Sequence, residues 1–272
     1  MDAAVKAVVL AAGKGTRLQT EDNDAPKVMR LACGKPLLWY VLDAISFVDK
    51  KDTVIVVGYK KDEVISRFHD YAFAVQTEQL GTGHAVMAAQ PELDGFDGVV
   101  LVCYGDMPAV KQDTYETLVR THLEQDNECT ILTGEYKSIE SDPKITKDGN
   151  EGQGARRCEP HVDLPYGRII RGKDGNFLHI VEDKDCTPEQ KAITELNSGV
   201  YVFRSKPLMN ALKNLKNDNS QGEYYLTDIP AIMRAGGARV GILKRDLGNE
   251  IIGVNTLEQL VQVEEILSES RC

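Results

Sequence analysis

Nowhere in the 272 residues is there a run of about 18 apolar residues, so no membrane-spanning helix is expected. The start, Met1-Asp2-Ala3-Ala4, lacks the basic segment of a signal peptide, which argues against export. Cysteine is sparse and dispersed. The six thiols, at 33, 103, 129, 158, 186 and 272, include no Cys-x-x-Cys pair and read as reduced residues of a cytoplasmic protein. His69, His122, His161 and His179 form no metal-ligand spacing. Positive charge is in deficit too: 32 Lys and Arg against 42 Asp and Glu leave a net −10. That balance argues against a nucleic-acid partner, and an anionic ligand must then be drawn in by local cations. No internal repeat or low-complexity tract is present. The chain is long enough to bury a full α/β core, as one large domain or one domain with a lobe.

The most informative segment is Val8-Val9-Leu10-Ala11-Ala12-Gly13-Lys14-Gly15-Thr16-Arg17-Leu18, an apolar strand running into a loop with two glycines and two cations. Such a strand is buried in a parallel sheet, so its loop emerges at the carboxyl edge, where open α/β sheets place ligands. Gly13 and Gly15 let the backbone approach phosphate oxygens, and Lys14 and Arg17 supply the opposing charge. The segment lacks the Gly-Lys-Ser/Thr end of a P-loop at the required spacing. It also lacks the small residue that a dinucleotide fingerprint needs where Arg17 stands, which argues against an NAD-binding oxidoreductase. Taken alone, it also suits a tight strand-to-loop turn.

Next comes Ala25-Pro26-Lys27-Val28-Met29, in which Pro26 restricts the backbone just before a lysine, and then Gly34-Lys35-Pro36-Leu37-Leu38. Further motifs follow in order: Gln76-Thr77-Glu78-Gln79-Leu80-Gly81-Thr82-Gly83-His84-Ala85, Tyr104-Gly105-Asp106-Met107-Pro108, Tyr166-Gly167-Arg168-Ile169, Val181-Glu182-Asp183-Lys184-Asp185, Asn197-Ser198-Gly199-Val200, Gln221-Gly222-Glu223-Tyr224-Tyr225-Leu226-Thr227-Asp228-Ile229 and Gly253-Val254-Asn255. This series resembles the sugar-1-phosphate nucleotidyltransferases. It looks like the uridylyltransferase domain of the bacterial bifunctional N-acetylglucosamine-1-phosphate uridylyltransferase/glucosamine-1-phosphate acetyltransferase family. The resemblance covers nearly the whole chain.

Apolar patterning predicts strands near Lys6–Leu10, Thr53–Val57, Phe73–Thr77 and Val99–Tyr104, with helices near Leu37–Phe47, Asp62–Phe68, His84–Gln90 and Thr114–Glu124. That order is α/β with a mostly parallel sheet flanked by helices, and the resemblance implies the Rossmann-like fold of nucleotide-diphospho-sugar transferases. Beyond a strand at Cys129–Glu135, strands at Phe177–Val181 and Gly199–Phe203 and a helix near Lys206–Leu215 suggest a smaller sugar-binding lobe. A strand at Val240–Leu243 and a helix from about Thr256 to Leu267 close the chain. One nucleotidyltransferase domain is therefore expected over 1–272, with a nucleotide lobe to about 135 and a sugar lobe from about 136. Residues 138–164 are polar and aperiodic and read as a loop insertion: a surface loop, or a lid using Arg156 and Arg157.

The resemblance implies Mg²⁺-dependent transfer of UMP from UTP to N-acetylglucosamine 1-phosphate, with Arg17 and Lys27 as the catalytic cations. Leu10, Ala11, Ala12, Gly13, Gly15 and Thr16 would bind the nucleotide, as would Gln76, Gln79, Gly81 and Thr82 at uracil. Tyr104, Gly167, Glu182, Asn197 and Tyr225 would bind the sugar, and Asp106 and Asn255 the metal. Such chemistry needs positioning and charge neutralisation rather than a side-chain nucleophile or general base, so His84 reads as structural. Asp106 equally suits a turn before Pro108, Asn255 the N-cap of the last helix, and Gln76 a polar strand end. Ser198 stands where the family usually has threonine. The same reaction type with glucose 1-phosphate and UTP or dTTP is an alternative, as is a non-catalytic nucleotide-sugar binding module. The acetyltransferase half of the resembling enzymes has no counterpart here, so no acetyl transfer and no β-helix-driven trimer are expected.

Overall fold

Strand β1 (Val5–Ala11) is apolar on both faces because both are covered: Ala7 and Val9 pack into one layer, Val8 and Leu10 into the other. The computed structural model describes residues 3–18, 24–135 and 165–269. The stretch 138–164, with Arg156 and Arg157, lies outside the described residues.

After β1 come a small hairpin, β2 (Leu31–Ala32) and β3 (Lys35–Pro36), then α1 (Leu37–Ala44), β4 (Thr53–Val57), α2 (Lys61–Arg67) and β5 (Ala72–Val75). Helices α3 (Thr82–Ala88) and α4 (Gln90–Leu93), strand β6 (Val99–Tyr104), α5 (Gln112–Glu124) and β7 (Cys129–Glu135) follow. The remainder is β8 (Arg168–Arg171), β9 (Phe177–Val181), α6 (Pro188–Lys191), β10 (Glu195–Arg204), α7 (Ser205–Leu212), α8 (Ile229–Ala235), β11 (Val240–Arg245) and α9 (Leu257–Glu269).

Strands from both halves of the chain share one sheet in the order β11-β7-β10-β6-β1-β4-β5, with β8 and β9 extending from β10. Pairs β1–β4, β1–β6, β4–β5 and β7–β11 are parallel, whereas β10 runs antiparallel between β6 and β7. The chain leaves β1 toward β4 and β5 and returns to its other side as β6. The order therefore reverses at β1–β6, and an open α/β sheet binds ligands at the carboxyl edge of such a switch point.

A third apolar cluster fixes the loops above that edge. Val263 and Leu267 of α9 pack with Ala32, Leu37, Tyr40 and Val254, which brings the segment before α9 beside the loop after β1. Among the described residues no helix is long and apolar enough to cross a membrane.

One buried group on α5 predicts acid sensitivity. His122 Nδ1 is 2.9 Å from Thr130 Oγ1, and Nε2 is buried without a partner. Burial, with Arg204 nearby, lowers the imidazole from 6.5 to about 4. The fold thus holds His122 neutral while the unfolded chain takes up a proton below about pH 6.5. Stability is complete above that pH and is lost progressively toward pH 4, by about 3 kcal/mol at most. Urea unfolding at a series of pH values should show a steeper loss for the native chain than for His122→Gln; equal slopes would contradict this.

Candidate active site

At the carboxyl ends of β1, β5 and β6 lies a cleft of about 360 Å³, a volume within the range of small-molecule sites. Leu10, Ala11, Ala12, Gly13, Lys27, Gln76, Gln79, Gly81, Thr82, Tyr104, Asp106 and Asn255 line it, together with Val28, Ala85 and Glu223, which the sequence reading did not single out.

Lys27 stands at the junction of three segments. Its Nζ forms an ion pair with Asp106 and donates to Asn255 Oδ1 at 2.6 Å. Pro26 caps the single 3-10 turn that begins at Lys27, Asp106 follows β6, and Asn255 precedes α9. A backbone bond from Val254 N–H to the Asp106 carbonyl, 2.9 Å, ties the last two loops together. The side chains of Lys27 and Asp106 are only 13% and 16% exposed, so their attraction is screened less than that of a surface pair.

Asn255 is not the N-cap of α9. Thr256 and Gln259 form a capping box: Thr256 Oγ1 accepts from Gln259 N–H at 3.3 Å, and Gln259 Oε1 accepts from Thr256 N–H at 3.1 Å. The same oxygen takes Asn255 N–H at 2.7 Å. The Asn255 amide is thereby released toward the cleft, and its Nδ2 donates to the Gly253 carbonyl at 3.1 Å, which turns Oδ1 to Lys27. Asp106 and Asn255 offer one carboxylate and one amide oxygen to a single cation, a donor set that suits a hard ion keeping water and phosphate oxygens. Among the described residues no group of three or more His, Cys, Asp or Glu offers another metal site.

Gly15 has φ +66°, and a Cβ there would lie 2.6 Å from Lys27 Cβ. The second glycine of the loop therefore makes room for the lysine stem. Thr16 and Arg17 sit on the exposed 3-10 turn Thr16–Leu18, outside the cleft lining, with Lys14 also exposed.

At the other end of the cleft Gln76 is buried, and its Nε2 donates to the Gly81 carbonyl at 3.0 Å and lies 3.2 Å from His84 Nδ1. Gln79 Nε2 donates to the Ala12 carbonyl at 3.4 Å. Residues 80–83 are laced to 224 by Gly83 N–H to the Tyr224 carbonyl, 2.7 Å, and Tyr224 N–H to the Leu80 carbonyl, 2.8 Å. Gly81, at φ +105°, is required there, since a Cβ would meet the Tyr224 carbonyl at 2.7 Å.

Gly167, Glu182, Asn197 and Tyr225 do not line the cleft. Burial, then the charge of Glu182, pushes the Tyr104 phenol upward, and its hydroxyl pairs with Thr82. Glu182 accepts from Thr227 Oγ1 at 2.8 Å, and burial raises its carboxyl. Asn197 Nδ2 donates to Tyr201 Oη at 2.7 Å, and Oδ1 accepts from Gly199 N–H at 3.2 Å. Gly167 accepts from Asn197 N–H at 2.8 Å, and Tyr225 Oη accepts from Gln221 Nε2 at 2.6 Å. Ser198 Oγ donates to the Leu132 carbonyl at 2.7 Å and accepts from Val200 N–H at 3.2 Å. The residue that departs from the family pattern thus supports the register shift between Asn197 and Tyr201.

Residues 7–227 match the MobA-like NTP transferase domain family. The chain belongs to this family. It is a nucleotidyltransferase. Bifunctional protein GlmU of Clostridioides difficile (strain 630) is 41% identical over 263 residues, 96% of this chain and 51% of that protein. Its namesake in Streptococcus pyogenes serotype M12 (strain MGAS2096) is 39% identical over 263 residues, 96% of this chain and 56% of that one. The chain thus spans about half the length of the curated relatives it matches. A Bacillus anthracis structure described as a glucose-1-phosphate thymidylyltransferase superposes with a TM-score of 0.66 over 97% of this chain and 95% of that one. At 17% identity the likeness shows the nucleotidyltransferase fold alone.

Proposed function

We propose that this domain transfers the uridylyl group of UTP to N-acetylglucosamine 1-phosphate, giving UDP-N-acetylglucosamine and pyrophosphate, as a cytoplasmic enzyme. The observation that carries the reading is Lys27 held between Asp106 and Asn255 at the switch-point cleft. The motif series and the relatives at about 40% identity support it.

The sugar phosphate oxygen attacks the α-phosphorus in line; that P–O bond forms as the bond to the β-phosphate oxygen breaks, and no side chain is alkylated or acylated. Gly13, Gly15, Thr16 and Arg17 hold the leaving phosphates, and Lys27 neutralises the α-phosphate and the incoming anion. Leu10, Ala11 and Ala12 form the floor, and Gln76, Gln79, Gly81 and Thr82 take uracil. Asp106 and Asn255 would hold Mg²⁺, which when bound adds positive charge where the phosphates meet. Tyr104 at the end of β6, with Gly167, Glu182, Asn197 and Tyr225 of the second lobe, takes the sugar.

A site built to bond the sugar's amide leaves buried polar groups unpaired when that amide is missing. Glucose 1-phosphate is therefore expected to be used at least about a hundredfold less efficiently than N-acetylglucosamine 1-phosphate. Asn197→Ala should narrow that gap. Equal kcat/KM for the two sugars in the native enzyme would overturn the sugar assignment and favour the glucose 1-phosphate reaction.

A further inference from the structure

Gln76, just after β5, is oriented by more than its own backbone. Its side chain is buried, and Nε2 faces two acceptors, the Gly81 carbonyl at 3.0 Å and His84 Nδ1 at 3.2 Å. Turning the amide over would set its oxygen against the Gly81 carbonyl, lone pair to lone pair. With the amide nitrogen donating to it, His84 Nδ1 carries no hydrogen, and the neutral ring holds its proton on Nε2. The amide oxygen is left toward the cleft with no partner among the described residues.

We propose that His84 is a positioning residue for base choice: acting through Gln76, it fixes a hydrogen-bond acceptor at the base end of the cleft and so selects a pyrimidine with an N3–H donor over one with a bare N3. This rests on the uridylyl-transfer reading above. Uracil presents that hydrogen, whereas cytosine presents a lone pair at the same ring position. Acceptor facing acceptor leaves buried polar atoms unpaired, a mismatch that sites built for hydrogen bonding reject strongly. Thymine shares the uracil pattern, so the pair that His84 separates is UTP and CTP. His84 lies in the first turn of α3, and its ring lies 6.3 Å from that of Tyr224.

Loss of Nδ1 removes one of the two restraints on the amide, worth about one hydrogen bond. His84→Ala is therefore expected to narrow the ratio of the CTP and UTP dissociation constants by at least about fivefold. His84→Asn, whose side-chain oxygen can stand where Nδ1 stood, should keep the ratio within about twofold of native. Calorimetric titration of the full chain with each nucleotide and Mg²⁺, without sugar phosphate, measures this apart from turnover. His84→Ala that weakens both nucleotides equally overturns the proposal. Should that variant not fold, His84→Gln, which carries its polar atoms beyond the Nδ1 position, takes its place with the same expectation. A native chain that binds CTP as tightly as UTP overturns the role of His84 together with the uridylyl reading; a native chain that discriminates while the variants discriminate equally well overturns His84 alone.

Discussion

Replacing Lys27 by methionine is expected to lower kcat by at least about a hundredfold, with a smaller change in the KM for UTP. Methionine keeps an unbranched stem against Gly15, whose absent Cβ would lie 2.6 Å from that of residue 27, so the loop keeps its shape and only the charge is lost. This ammonium pairs with the Asp106 carboxylate and donates to Asn255 Oδ1. Two anions must approach one another in the transition state, and a cation placed there stabilises that state more than either substrate alone. Steady-state kinetics separate the possibilities: a variant in which only KM rises would show that Lys27 gathers nucleotide without stabilising the transition state.

Asp106→Ala should have an effect at least as large, bringing turnover below about a thousandth of the native rate at saturating Mg²⁺. Its carboxylate pairs with Lys27, and its loss removes a full negative charge from the place where the proposed dication would bind. Asp106 is partly exposed and lies outside the apolar clusters, so thermal unfolding should shift little. A variant that keeps its folding transition and more than about a tenth of native turnover would remove Asp106 from the proposed metal site.

Much of this arrangement was legible in the sequence because apolar runs report burial directly. The observed bounds of β4, β6, β7 and β9 coincide with the patterned runs. Strand β10 was seen only from Gly199 onward, although it runs Glu195–Arg204, because its polar start, Glu195 to Ser198, lies before a register shift and carries side chains turned to internal hydrogen bonds. Helix α8 has no clear signal because it opens on Ile229, the last residue of a motif that points to chemistry, and on Pro230, and β8 has none because its two isoleucines stand between arginines. The antiparallel direction of β10, which places strands of the second half in the first half's sheet, depends on long-range pairing that no local pattern encodes.

Within the candidate site, residues of six separate segments (10–13, 27–28, 76–85, 104–106, 223 and 255) line one cleft, whereas Gly15, Thr16, Arg17, Gly167, Glu182, Asn197 and Tyr225 do not. The ambiguity over Asn255 had a signal that could have resolved it: Thr256-Leu257-Glu258-Gln259 is a capping-box spacing, and it hands the cap to Thr256. The place of Glu223 in the cleft was not legible, because residues 76–85 and 223–225 meet through long-range contacts, the backbone bonds from Leu80 and Gly83 to Tyr224 and the ring of His84 beside that of Tyr224.

The central claim is tested most directly by pyrophosphate release from the purified chain mixed with UTP and N-acetylglucosamine 1-phosphate. Release should be stoichiometric with UDP-N-acetylglucosamine formed, should need both substrates and Mg²⁺, and should stop on addition of EDTA. Undiminished release in EDTA, or none with this pair while another nucleotide and sugar phosphate react, would contradict it.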